Sequence, residues 1–377
     1  MKISYLTAYD ASDIHNWSGT GYYIAKALRD QNAEIDFVGN LQAVPDPVSK
    51  IKQRLYRRFG RTFEFERTRH YAKQIANLAM PRIRPDADIV FSPGSLWINF
   101  LETKKPKVFC TDATFAGMIG FYETFSTLCR ETMRSGNQIE QLALQTCSMA
   151  FYASDWAART AVENYKVDPE KIKVVPFGAN IECHRTLEDI KKIVDRRPEK
   201  ECRLLFLGVD WKRKGGDVAV QVTEKLNRDG LKTTLHVAGI KQIPLSPLPP
   251  FIVDHGFIAK SLQTGTERIE KLFAESHFLL VPSVAEAYGL VFCEANSFGL
   301  PAIATNVGGI PTIIKDGVNG RTFPLSSTAG EYANYIRKTF DDHSAYRELC
   351  FSSFNEYEKR LNWKVAGKTM MDFLLTL

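Results

Sequence analysis

The feature that most constrains the fold is a repeated alternation of short apolar runs with longer segments whose apolar residues recur at helical spacing. In the first half the strand-like runs fall at residues 3–7, 35–38, 89–91, 107–110, 150–153 and 173–175. Between them, residues 22–28, 136–147 and 156–165 carry the helical pattern, and Ser154-Asp155 opens the last of these as an N-cap. Strands that are apolar throughout must be covered on both faces, and intervening helices supply that cover. The combination predicts parallel sheets with helices on either side.

The alternation breaks at residues 176–180, gives way to a charge-rich stretch up to Glu201, and restarts at Leu204-Leu205-Phe206-Leu207-Gly208. A helix is expected from Asp217, and further strands at 234–238, 278–281 and 301–305. A chain of 377 residues exceeds one ordinary core. The restart therefore predicts two doubly wound, Rossmann-like α/β domains facing a cleft, residues 1–180 and 181–358, followed by a helical tail at 359–377.

Composition narrows the class. Apolar residues make up 44% and charged residues 24%, which suits a globular chain and argues against disorder. No stretch of about 18 apolar residues offers a membrane span, and no apolar leader follows Met1. The seven cysteines are scattered, without C-x-x-C pairs or Cys/His zinc spacing, so they are expected to be free buried thiols. These readings place the chain in the cytoplasm.

The net charge of +6 is uneven. Between residues 50 and 84, Arg54, Arg57, Arg58, Arg61, Arg67 and Arg69 face only two acids, Glu64 and Glu66, with Leu55, Tyr56, Phe59, Phe63 and Phe65 interleaved. Such a segment can dock on anionic lipid at the inner membrane face or hold a charged acceptor. A plain solvated helix face stands beside those two readings. No nucleic-acid motif accompanies it, and no nucleic-acid partner is expected.

The stretch most informative about chemistry is Val281-Pro282-Ser283-Val284-Ala285-Glu286-Ala287-Tyr288-Gly289-Leu290-Val291-Phe292-Cys293-Glu294-Ala295. A strand ends, a loop carries Glu286, and a helix starts near Gly289. Glycine there lets a ligand approach bare backbone, and the helix's first N–H groups favour an anion. Glu294 lies a turn and a half further on, where its side chain can face back towards the same place. Phosphate on the backbone with carboxylates for hydroxyls on either side suits a nucleotide diphosphate sugar.

This segment resembles the retaining glycosyltransferases of the GT-B fold, glycosyltransferase family 4 (glycosyl transferases group 1). The E-x7-E signature is met by Glu286 and Glu294, and Gly299-x-Pro301, residues 304–311 and Asp316-Gly317-x-Asn319-Gly320 extend the likeness. The resemblance implies that Glu286 contacts the donor sugar, Glu294 the ribose hydroxyls, and the N–H groups of Gly289 and Leu290 the distal phosphate, with Tyr288 beside them. The loop from Gly208 to Gly216 would bind the diphosphate through Lys214. Many members carry an arginine directly after the first glycine. Here that position is Val209, so Arg213, or else Lys212, would supply the second cation.

The remaining correspondences are looser. Trp17-Ser18-Gly19-Thr20-Gly21 resembles the family's glycine-rich loop, which would bring Gly19, Thr20 and Gly21 to the distal phosphate; a plain turn is the alternative. The family's histidine-aspartate pair is Thr111-Asp112 here, leaving Asp112 for the donor sugar or the acceptor hydroxyl, or as a strand-end cap. His255, Phe257 and Ile258 lie in a turn like the one that reads the base. The tail would cross back to the first domain, as in relatives.

The implied reaction is transfer of a hexose from UDP- or GDP-hexose to a hydroxyl of a glycan, glycolipid or small metabolite, with retention and without a cofactor. No D-x-D motif is present, so no metal is expected. A sugar-nucleotide epimerase of the same fold and a non-catalytic sugar-nucleotide-binding protein are the competing readings.

Overall fold

Each apolar run of the first half becomes a strand paired in parallel with its neighbours. The strands are β1 (Lys2–Leu6), β2 (Glu34–Val38), β3 (Ile89–Ser92), β4 (Lys107–Thr111), β5 (Met149–Tyr152) and β6 (Ile172–Val174), in the order β2-β1-β3-β4-β5-β6. Residues β3 and β5 contribute are buried throughout, as the covering helices require. Tyr5 of β1 lies opposite both Phe37 and Phe91, and its ring stacks on Phe91 at 5.6 Å. Helix α1 (Thr20–Arg29) follows β1, and helix α2 (Pro47–Arg58) follows β2. Ser154 caps the helix Asp155–Tyr165 by accepting from the Ala157 amide at 3.2 Å.

The second half builds another six-stranded parallel sheet. β7 (Cys202–Leu207), β8 (Thr233–Ala238), β9 (Ile252–Asp254), β10 (Phe278–Val281), β11 (Ala302–Thr305) and β12 (Gly320–Phe323) run in the order β12-β11-β10-β7-β8-β9. The chain winds outward from β7 to β9, then returns to the other side of β7 and winds outward again. Loops leaving β7 and β10 therefore diverge above neighbouring strands, which is where doubly wound sheets open a crevice. β1 and β3 stand in the same relation in the first sheet.

The computed structural model describes residues 1–260 and 262–377 and divides into two units, Met1–Pro176 with Ala366–Leu377, and Phe177–Val365. The first division falls before residue 180 because Phe177 packs into the second unit, between the rings of Tyr288 (5.4 Å) and Trp363 (5.3 Å). The second falls after residue 358. Arg360 still donates to the carbonyls of Thr312 and Ile313, and Trp363 Nε1 to Asn180 Oδ1. The helix Trp363–Leu374 then carries the chain back to the first unit, where Phe373 meets Phe151 at 6.2 Å.

All seven cysteines are free thiols, six of them buried. Among the described residues no helix is long and apolar enough to cross a membrane.

One buried polar cluster gives the second unit a pH dependence. Nearly all of His277, just before β10, is buried: its Nδ1 accepts from the Arg203 amide at 2.9 Å and its Nε2 donates to the Pro198 carbonyl at 3.0 Å. Burial, reinforced by the nearby Arg197, pushes its pKa down to about 3. The unfolded chain, with a histidine near 6.5, binds the proton first as pH falls. His277 therefore stabilises the fold fully above pH about 6.5 and loses that contribution on acidification towards its folded value. Urea unfolding between pH 6 and 4 should show stability falling by roughly 1.3 kcal/mol per pH unit from this residue alone. His277→Asn, which keeps one acceptor, should flatten the slope; an unchanged slope refutes the assignment.

Candidate active site

The loop after β7 is organised around Trp211. Its ring packs on Phe206, its Nε1 donates to Asp217 Oδ1 at 2.8 Å, and a Cβ on Gly216 would lie 2.3 Å from the indole. Successive amides then close the turn: Lys214 to the Asp210 carbonyl, Gly215 to Lys212 and Gly216 to Trp211. Gly215 sits at φ +78°, where a Cβ would meet the Pro282 carbonyl oxygen at 2.1 Å. This position needs glycine for conformation and for the close approach of the next loop.

That next loop leaves β10. The Val284 amide donates to the Arg213 carbonyl at 2.8 Å, and the Gly309 amide to the Glu286 carbonyl at 3.1 Å. Two main-chain bonds thus fix Glu286 between the loops after β7 and β11. The result is a charged triad. Lys214 Nζ donates directly to Glu286 Oε2, both side chains being 10% exposed. Arg213 adds its guanidinium at 3.5 Å from the same oxygen and donates to the Ala285 carbonyl at 3.1 Å. A carboxylate so buried is tolerable only when paired. Lys212 points outward and Val209 is 71% exposed, so Arg213 is the second cation at this carboxylate.

Glu294 is buried in the helix Leu290–Asn296 and receives Lys260 Nζ at 2.5 Å. This excludes the solvated glutamate that helical position alone would allow. Lys260 carries no sequence signal, being a lysine a few residues past a turn, and only the structure brings it to Glu294. Gly289 caps the helix at φ +103°, so the main chain of Gly289 and Leu290 heads it. The side chain of Tyr288 turns the other way. It is buried, and its hydroxyl donates to the Phe177 carbonyl at 2.8 Å. Its ring is therefore part of the core, so the expected place of Tyr288 among the donor-binding residues does not extend to its side chain.

The ends of β7, β8 and β9 approach as bare backbone. A Cβ on Gly239 would lie 2.5 Å from the Gly208 carbonyl oxygen, and the Gly239 amide donates to the Gly256 carbonyl at 2.9 Å. His255 Nε2 and His236 Nδ1 are 2.9 Å apart in stacked rings. Burial lowers both pKa values, that of His236 to about 4, so the pair is neutral at pH 7. Phe257 beside it is 55% exposed, whereas Ile258 is buried.

The other candidate residues belong to the first unit. Asp112 is half-buried just past β4. Gly19 caps α1 at φ +82°, preceded by Trp17 and Ser18 at φ +47° and +53°. Three consecutive left-handed residues, two of them not glycine, cost on the order of 1–2 kcal/mol at each non-glycine position. Thr20 and Gly21 are buried, and a Cβ on Gly21 would strike the Tyr9 hydroxyl at 2.4 Å. Tyr9 in turn lines a pocket of about 600 Å³ at the carboxyl ends of β1 to β3, with Leu41, Val44, Phe65, Tyr71 and Trp97.

Two parallel-sheet Rossmann-like units with these strand orders are the fold of the GT-B glycosyltransferases. Anabaena HepE, solved with UDP and glucose, aligns over 100% of both chains with a TM-score of 0.64 at 14% identity. Residues 188–352 match the family model described as glycosyl transferases group 1. An uncharacterized 41.2 kDa protein in the cps region of Klebsiella pneumoniae is 30% identical over 203 residues, 51% of this chain and 53% of that one. The D-inositol 3-phosphate glycosyltransferase of Acidothermus cellulolyticus is 27% identical over 198 residues, 49% of this chain and 44% of its own. The chain thus spans about half the length of the curated relatives it matches. These likenesses show the GT-B fold for the chain and a similarity to glycosyl transferases group 1 over residues 188–352.

Gly215→Ala should cost at least about 2 kcal/mol by chemical denaturation, since strain and collision with Pro282 combine. Gly230→Ala, also left-handed at φ +91° but facing open space, should cost only about 1 kcal/mol. Equal losses in the two variants would show that contact with Pro282 is immaterial.

Proposed function

We propose that the chain transfers a hexose from a nucleotide diphosphate donor, UDP- or GDP-linked, to a hydroxyl acceptor, with retention of configuration and without a metal. The observation that carries this reading is the buried triad of Glu286, Lys214 and Arg213. Two cations in a poorly solvated site suit a leaving diphosphate, whose negative charge grows as the glycosidic bond breaks. Donor binding would give Lys214 and Arg213 phosphate oxygens as new partners and free Glu286 to hold the sugar hydroxyls. Glu294, released from Lys260, would take the ribose. The neutral histidine pair and exposed Phe257 suit a base laid against the ends of β8 and β9. That Anabaena HepE is solved with UDP and glucose favours a UDP-hexose as the first donor to try.

In the proposed step the bond from the anomeric carbon to the phosphate oxygen breaks as the acceptor oxygen attacks from the same face. The acceptor's proton passes to the departing phosphate. Glu286 is then a donor-holding group and not a nucleophile, unlike the paired carboxylates of retaining glycosidases. Asp112, the loop Gly19-Thr20-Gly21 and the aromatic pocket around Trp97 are the first unit's candidates for acceptor and distal phosphate. Positioning and diphosphate stabilisation supply the rate.

Thermal melts against nucleotide diphosphate sugars, without added metal, test the proposal. One donor should raise the melting temperature, by several degrees at about a hundredfold over its dissociation constant. Lys214→Ala and Glu294→Ala should abolish the rise. If no nucleotide sugar shifts the melt, with or without magnesium, donor binding at this site is ruled out.

A further inference from the structure

Helix α2 is inverted with respect to the helices of an ordinary globular domain. Such helices turn their apolar stripe to the core. Of the twelve residues of α2 only Ser49 is buried. Val48, Ile51 and Leu55 recur on one helical face, and the C-cap Phe59 prolongs the line. They are 59%, 63%, 53% and 70% exposed. The helix is held to its own unit by its other side, where Lys52 pairs with Glu131 and Tyr56 stacks on Phe63 at 6.0 Å.

Local signals rather than burial specify this helix. Asp46 accepts from the Ser49 amide at 3.0 Å, Pro47 occupies the first turn, and Arg57 and Arg58 stand in the last. Arg54 and Arg58 flank the apolar line and Lys50 and Arg57 stand further round the helix; all four are exposed, and α2 contains no acidic residue. Among the described residues none of these four side chains has an ion-pair partner. An exposed row of large apolar side chains marks a contact surface. Its unpaired cations require that the contacting surface be anionic.

A surface that is apolar in depth and anionic at its face is a bilayer containing acidic lipid. We propose that α2 lies in the interface of such a bilayer, with Val48, Ile51, Leu55 and Phe59 below the headgroups and Lys50, Arg54, Arg57 and Arg58 against the phosphates. A nucleic acid would satisfy the cations and leave the apolar line in water. The inference concerns docking alone and stands apart from the transfer reading.

Flotation of the full chain with vesicles of phosphatidylcholine, with and without phosphatidylglycerol, tests it. The protein should float with the anionic vesicles at low salt and bind neutral ones on the order of tenfold more weakly. Ile51→Glu with Leu55→Glu should weaken binding by on the order of tenfold or more. Because both side chains are exposed, the melting temperature of that variant should stay close to that of the parent. Replacing Arg54, Arg57 and Arg58 by glutamine should remove most of the salt dependence. In Phe59→Trp the emission should move to the blue on anionic vesicles alone. Failure of the parent to float with anionic vesicles at low salt overturns the proposal, as does undiminished flotation of the double glutamate variant. A dimer in solution that the same variant dissociates would assign the apolar line to a second copy of the chain and overturn it equally.

Discussion

The pairing of Lys214 with Glu286 is the interaction around which the second unit is arranged. Burying a carboxylate costs several kcal/mol unless a cation meets it with good geometry. The two side chains come from loops more than seventy positions apart in sequence. They meet because β7 and β10 are neighbours in the middle of the sheet, where the winding direction reverses. The bond from Val284 to Arg213 and the bond from Gly309 to Glu286 then hold the loops in register. Strand order, glycine placement and loop closure all serve one contact between opposite charges.

The centre of each sheet was open to reading from sequence because its strands are largely apolar runs. The edges were not. β9 exposes Val253 and Asp254, and β12 exposes Arg321, so neither presents the continuous run that a strand covered on both faces must have. The resemblance to family 4 singled out Glu286, Lys214 and Arg213, but not their pairing with one another, which only the structure shows. Lys260 was not singled out, since a lysine beyond a turn is the commonest of surface residues. Tyr288 shows the opposite difficulty: it sits amid the site residues in sequence, yet its ring serves the core. The basic segment announced itself by composition, but an apolar line at helical spacing ordinarily means burial. Only the structure shows the line on α2 facing outward.

Several residues that give the second half its likeness to known transferases turn out to be structural. Asn319 donates to Asn296 Oδ1 at 2.7 Å and to the Ile313 carbonyl at 3.0 Å, while its own oxygen accepts from Lys315. Asp316 accepts from the Thr322 amide at 2.7 Å, and a Cβ on Gly320 would overlap the Ala302 carbonyl. These residues close the turn between β11 and β12 and brace the short helix that carries Glu294. A motif can thus identify a site while most of its members never face the ligand. At the first unit's glycine-rich loop, strain is held in the backbone at Trp17 and Ser18.

The absence of a side chain at Gly215 has a consequence for anyone recombining such domains. Where Pro282 rests on a bare α-carbon, the separation of the two loops is set by main chain against main chain, with no side chain to compress or trim. Residues 208–216 and 282–294 therefore behave as a single transplantable part. A chimera that exchanges one segment without the other would join a cationic loop to a carboxylate loop cut to a different gauge, however similar the two parents look along the sequence.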